Sequence, residues 1–389
     1  MERTTEAILS LVRSDVFGEE CDVQLLRSIV REPESYAALC REATAHDLGH
    51  IVGEGLSRLG LLAEDETSLR LRRARYSAIY RYRGIEYELG QITRAFCEGG
   101  VAHIPLKGSV IRALYPSPWM RTSCDIDILV REEELERASS LLVEELGYTR
   151  VAKSFHDVSF KSEGGVHVEL HFTLIEDFSY PKINALLGGV WDSATAPEGS
   201  YTYLMRDDLF YLYQVAHMMK HLFEGGLGVR FFVDLCLLDR MEGVDTAARE
   251  ALLAKAGLGT FAARSSALAR AWFMGEELDG EGEVYARHII RCGIYGNVET
   301  RVKVQQSRRG GKLSYAMRRI FLPYKSLREM FPILKKHKWL TPVFEVVRWF
   351  RLIFRGKLSR SINELKTNAA LTADEALEAE AMLKSLGLE

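Results

Sequence analysis

Cys124-Asp125-Ile126-Asp127-Ile128-Leu129-Val130 alternates polar and apolar residues and closes on aliphatic ones, the pattern of a strand. Side chains two apart on a strand share a face. Asp125 and Asp127 therefore point one way, Ile126 and Ile128 the other. Two carboxylates that close repel, which raises a pKa or recruits a cation. Hard oxygen ligands of this kind suit Mg²⁺ or Mn²⁺. Alone, an Asp-x-Asp pair also fits a solvated sheet edge, so the neighbouring stretches decide.

Upstream, Ile104-Pro105-Leu106-Lys107-Gly108-Ser109 reads as a short strand, a turn and a helix opening. Gly108 permits close backbone approach, and free N–H groups at a helix start can hold a phosphate. Lys107 would add a point charge. Downstream, His167-Val168-Glu169-Leu170-His171-Phe172 alternates again. Glu169 shares a face with His167 and His171 and becomes a third carboxylate if this strand lies beside the first. His171 reads either as support for the site or as a locally bonded strand histidine. Arg121 either reaches a phosphate or sits in a surface loop.

Strands are expected at 101–106, 124–130, 155–162 and 166–174, with Glu163-Gly164-Gly165 as a hairpin turn between the last two. A helix is expected from Glu132 to Leu146. Residues 1–98 read as helices, with Glu66–Glu98 a long one that carries a broken apolar stripe (Tyr76, Ile79, Tyr80, Ile85, Tyr87, Leu89) and stops at Gly99-Gly100. Helices are also expected at Asp207–Phe223, Arg230–Arg240, Thr246–Ala256, Thr260–Met274 and Glu283–Arg291. His217 and His221 lie four apart on one helix face. The metalloprotease pattern requires a glutamate after the first histidine, and Met218 stands there. Lining of a nucleotide cleft, with Lys220, Arg230 and Asp234, is the preferred reading, against plain helix packing.

The run Leu106-Lys107-Gly108, then Leu114-Tyr115-Pro116, Arg121, Asp125-x-Asp127 and Glu169-x-His171 resembles the polymerase-beta-type nucleotidyltransferase superfamily. More narrowly, it resembles a bacterial group of uncharacterised nucleotidyltransferase-like proteins. The resemblance implies an α+β fold in which a small mixed nucleotidyltransferase sheet is flanked by N- and C-terminal helical regions. It further implies Asp125, Asp127 and Glu169 as metal-binding and catalytic carboxylates around Mg²⁺ (or Mn²⁺). Lys107, Gly108, Ser109, Arg121, Lys220 and Arg230 are then the nucleotide-binding residues. The implied reaction moves a nucleoside monophosphate from an NTP, ATP foremost, to a hydroxyl of a small molecule, a protein or an RNA. A non-catalytic nucleotide- or RNA-binding regulator on the same fold is the rival. The expected organisation is an N-terminal helical region (1–98), the nucleotidyltransferase core (99–180), a helical domain (181–300) and a basic C-terminal helical region (301–389).

The composition, 47% hydrophobic and 27% charged over 389 residues, is that of an ordinary globular chain. No apolar run reaches the roughly 18 residues of a membrane span, and the polar start Met1-Glu2-Arg3-Thr4-Thr5-Glu6 does not read as a signal peptide. Six scattered cysteines without a Cys-x-x-Cys pair fit reduced thiols, so a cytoplasmic location is expected. The net charge of −3 conceals an asymmetry: residues 301–360 carry 17 Lys and Arg against Glu329 and Glu345. A block this basic points to RNA, an anionic lipid surface or an acidic protein, or else neutralises the acidic remainder of the chain. Within it, Arg348, Arg351 and Arg355 fall along one face of a helix over 343–355. The rest of that helix is apolar and aromatic, which fits docking on a core or an interfacial helix. Residues 370–386 read as a solvated acidic helix.

Overall fold

The computed structural model describes residues 2–175, 180–294, 296–308, 310–354 and 358–388. Five short strands form one mixed sheet: β1 (His103–Pro105), β2 (Asp125–Val130), β3 (Thr149–Lys153), β4 (Asp157–Lys161) and β5 (His167–His171). Their order is β1-β2-β5-β4-β3. The central pair, β2 and β5, is parallel, while the other neighbours run antiparallel. A parallel pair requires a long connection; here it carries the helix Leu135–Ser140 and the strands β3 and β4.

The α+β class follows directly from the residue pattern. Ile126, Ile128 and Val130 of β2 and Val168 and Leu170 of β5 are fully buried on one sheet face. They pack with Ile85, Ile92 and Phe96 of the helix Glu66–Glu98 and with Leu135 and Leu142. Asp65 caps this helix by accepting from Ser68 N–H at 2.9 Å, and its end is turned by Gly100 at φ 62°. Only part of its expected stripe faces the sheet: Tyr76, Tyr80 and Tyr87 are exposed.

The opposite sheet face meets a larger core. It runs without a break through the helices Arg3–Phe17, Pro33–Ala45 and Gly49–Arg58, then Leu106 and Leu129, then the helices Asp207–Glu224, Val229–Asp239 and Gly259–Met274. The helices before and after the sheet thus share one apolar interior.

Three differences from expectation have simple causes. β3 was not expected, because Thr149-Arg150-Val151-Ala152-Lys153 is exposed along its whole length; backbone pairing with β4 alone makes it a strand. The expected strand at 101–106 is only three residues long. The span from Glu132 to Glu145 is one helical path in three windings: a 3₁₀ turn, an α-helix and a π turn.

One histidine ties the helical layers together. His46, 2% exposed, lies 3.1 Å by Nε2 from the Ile290 carbonyl and accepts from Val229 N–H through Nδ1 at 3.3 Å. The two partners fix the neutral tautomer, with the proton on Nε2. Burial pushes this imidazole down to about 4, against an ordinary 6.5. A base whose folded pKa is depressed contributes stability above its unfolded value, and loses it as pH falls toward the folded one. The shift corresponds to roughly 3 kcal/mol between pH 6.5 and 4. Urea unfolding across that window should show a steeper acid loss for the native chain than for His46→Gln; equal slopes would remove the assignment.

Among the described residues no helix is long and apolar enough to cross a membrane. In the C-terminal region the helix Thr341–Phe354 turns Glu345 and Arg348 inward. The helix expected to be solvated over 370–386 is present as Ala373–Ser385, with a Thr372–Glu375 capping box, but it buries Ala379, Met382 and Leu383, the last two in the larger core. Arg355 lies outside the described residues.

Candidate active site

The parallel register of β2 and β5 sets Asp127 beside Glu169 and Asp125 beside His167. Because Ile126, Ile128, Val130, Val168 and Leu170 are committed to the other face, the acidic side chains converge. One ligand atom each from Asp127, Glu169 and His171 lies within 4.8 Å of the others. His171 Nε2 is 2.8 Å from Asp127 Oδ1 and 3.5 Å from Glu169 Oε2. Asp127 and His171 are buried, and Glu169 keeps some solvent access. Asp125 shares the face but falls outside the close group.

The cluster separates the two aspartates electrostatically. Burial, then the charges of Asp127 and Glu169, push the Asp125 carboxyl up against the pull of Lys107 and Arg121. Burial also works to raise Asp127, yet Lys107 and His171 outweigh it and hold that carboxyl well below the usual range. Burial opposes the charge on Lys107, but Asp127 above all restores it and drives its pKa up. His171 is likewise raised, hydrogen bonds to Asp127 and Glu169 overcoming desolvation. Asp127 is therefore held ionised between Lys107 and His171.

The turn before β2 differs from its expected role. Ser109 N–H donates to Leu106 O, and Val110 and Ile111 N–H donate to Lys107 O, so these groups are already engaged. Ser109 Oγ is the exception, buried with no hydrogen-bond partner. Gly108 leaves room for a neighbour: a Cβ there would meet Arg121 Nη1 at 2.7 Å. Lys107 sits at φ 45°, a region costly for any residue with a Cβ, and its Nζ reaches Asp127 Oδ1 at 2.7 Å.

This makes a prediction that reverses the usual helix-start preference. Lys107→Ala loses the ion pair and keeps the backbone strain, whereas Lys107→Gly loses the pair and relieves the strain. The glycine variant should be the more stable of the two by about 1–2 kcal/mol in urea unfolding. An alanine variant as stable as the glycine one would show that no strain is stored there.

The two arginines expected at the nucleotide have protein partners. Arg121 pairs with Asp234 at 2.9 Å and is buried, with Tyr115 Oη donating to the same carboxylate at 2.7 Å. Arg230 reaches Asp47 Oδ2 at 3.3 Å and also donates to the Thr122 carbonyl. Both clamp residues 121–122, just before β2. Lys220 lies on the helix Asp207–Glu224, three residues after His217 and one before His221.

That helix also supplies a residue that was not singled out. Tyr213, one turn before His217, is buried, and its phenol is pushed up by desolvation in the field of Lys107, Asp127 and Glu169. His217 and His221 approach to 3.1 Å between Nε2 atoms. Burial first, then surrounding cations including Lys107, holds His221 down to about 3. The helical spacing 213, 217, 220, 221 was the available signal, since it places all four toward one side.

Two carboxylates from adjacent strands and one imidazole make a donor set that could hold a metal ion, and His171 Nδ1 is buried without a hydrogen-bond partner. No curated protein and no solved structure matches the chain significantly. A family described as uncharacterised nucleotidyltransferase matches residues 32–274, a span that includes the whole sheet, the acidic cluster and the helix carrying Tyr213. The chain belongs to that nucleotidyltransferase family.

Proposed function

We propose that the protein is a divalent-metal-dependent enzyme that transfers a nucleoside monophosphate from an NTP, ATP being the first candidate, to a hydroxyl acceptor. The observation that carries this reading is the convergence of Asp127, Glu169 and His171, with Asp125 on the same face. Asp125, Asp127 and Glu169 would hold Mg²⁺ or Mn²⁺. When bound, the metal neutralises the triphosphate and lowers the pKa of the attacking hydroxyl.

The remaining work belongs to the chain. Asp127 stays ionised because Lys107 and His171 flank it, so a charged oxygen is ready without reorganisation. Glu169, with the most solvent access of the close group, can accept a proton from an incoming acceptor hydroxyl. Ser109 Oγ and Lys220 are the groups whose chemistry would let them meet phosphate. Arg121 and Arg230 position the segment that leads into β2 through Asp234, Asp47 and Thr122.

The division into a helical region to residue 98, a core to 180, a helical domain to 300 and a basic region beyond is proposed as the functional layout. The test is transfer of label from each α-labelled NTP, with Mg²⁺ or Mn²⁺, into a cell extract. Labelled product that disappears with chelator is expected; no label transfer with any NTP and either metal would overturn the reading.

A further inference from the structure

The helix Thr341–Phe354 docks through Phe344 and Val347 on Leu327, Phe331 and Leu334, yet it leaves a second apolar stripe uncovered. In the helix Thr341–Phe354, Glu345 and Arg348 are 7% and 6% exposed and bonded to each other at 2.8 Å. Glu345 also accepts from Leu322 N–H at 2.6 Å, and Trp349 Nε1 donates to Ile320 O at 3.2 Å. These bonds fix the rotation of the helix. The second stripe, Val343, Val346, Phe350 and Ile353, is consequently turned outward, each residue more than half exposed. Trp339 and Phe354 extend it at 75% and 84% exposure. Of 22 large hydrophobic residues exposed among the described residues, 11 lie between Leu313 and Phe354.

The exposed charges described between residues 325 and 354 are of one sign. Lys325, Lys335, Lys336, Lys338 and Arg351 are exposed. The only acidic side chain described there, Glu345, is buried against Arg348. A second copy of the chain would bring two strongly basic blocks together. RNA would satisfy the lysines and leave the aliphatic stripe in water. An apolar stripe with aromatic ends and a lysine border matches the boundary between headgroups and acyl chains, and an anionic leaflet attracts the lysines.

We propose that this face binds the surface of an anionic lipid bilayer, holding the protein peripherally. The interaction is independent of nucleotidyl transfer and of whether the acidic cluster binds metal. The test is flotation of the full chain with vesicles of phosphatidylcholine alone or mixed with phosphatidylglycerol. Flotation with the mixed vesicles and little with the neutral ones is expected. Phe350→Asp with Ile353→Asp should abolish it, both positions being exposed, with thermal unfolding unchanged. Lys335→Gln, Lys336→Gln and Lys338→Gln together should lower partitioning roughly 100-fold and flatten its salt dependence.

Protein that stays at the bottom with anionic vesicles would overturn the proposal. So would flotation that both variant sets leave intact. Sedimentation showing a dimer abolished by Phe350→Asp and Ile353→Asp would assign the face to a second copy instead. A stoichiometric complex with an acidic protein, lost in the same variant while flotation is absent, would assign it to that partner.

Discussion

Asp127→Asn is expected to lower nucleotidyl transfer by roughly 10³-fold or more, and Asp125→Asn to lower it severely as well, yet the two should move stability in opposite directions. The asymmetry comes from the charges each aspartate faces. Asp127 is buried between Lys107 and His171, and removing its charge strands the Lys107 ammonium. Breaking a buried pair from one side costs about 3–5 kcal/mol. Asp125 instead suffers from burial and from Asp127 and Glu169, which push its pKa up. Such a carboxylate weakens the fold as it ionises, with the loss growing as pH rises through its raised pKa. Asparagine removes that burden, so Asp125→Asn should be as stable as the native chain or more so at neutral pH. The readings are label transfer from an α-labelled NTP, Mn²⁺ binding followed by electron paramagnetic resonance, and urea unfolding. Metal affinity should fall in both variants. Transfer that survives either substitution would sink the metal-dependent mechanism, and equal stability losses would show that Lys107 does not depend on Asp127.

The central part of this site is legible in the sequence for a physical reason: strands β2 and β5 each carry a strict alternation, and alternation specifies both element and face. Ile126, Ile128, Val168 and Leu170 must be buried, so Asp125, Asp127, Glu169 and His171 must share the other side. Which strands are neighbours is not a local property, and the convergence of Glu169 on Asp127 appears only with the parallel register. β3 gives no signal because its residues are exposed and its partner is found through backbone alone. Tyr213 is hidden among the apolar residues of a nearly all-buried helix, where one more aromatic looks like core. Arg121 shows the opposite error. A lone arginine beside an acidic motif invites a phosphate reading, whereas its partner Asp234 lies 113 residues away.

That long-range pair carries the second large effect. Arg121 Nη2 and Nε donate to Asp234 Oδ2 at 2.9 and 3.2 Å, Tyr115 Oη donates to Oδ1 at 2.7 Å, and all three residues are buried. The carboxylate is thus satisfied by a forked guanidinium and a phenol, the geometry in which a buried pair is tightest. Asp234→Ala leaves a desolvated guanidinium with only the Thr122 carbonyl, at 3.0 Å. Arg121→Met leaves a desolvated carboxylate with only a phenol. Each single change should cost about 3–5 kcal/mol in urea unfolding. Joined in one chain, they remove both charges, so the double variant should be destabilised by at least about 2 kcal/mol less than the two singles combined. The pair joins the helix Val229–Asp239 to the residues just before Asp125, which gives a second readout. At temperatures where Asp234→Asn remains folded, its uncharged oxygen can still accept from Arg121 but grips less firmly. Its transfer rate should then fall more than its NTP affinity, because Asp125 and Asp127 are less firmly held. Strict additivity of the single variants would show that the two side chains act separately, and an unaltered transfer rate in the folded asparagine variant would show that the clamp serves the fold without reaching the acidic cluster.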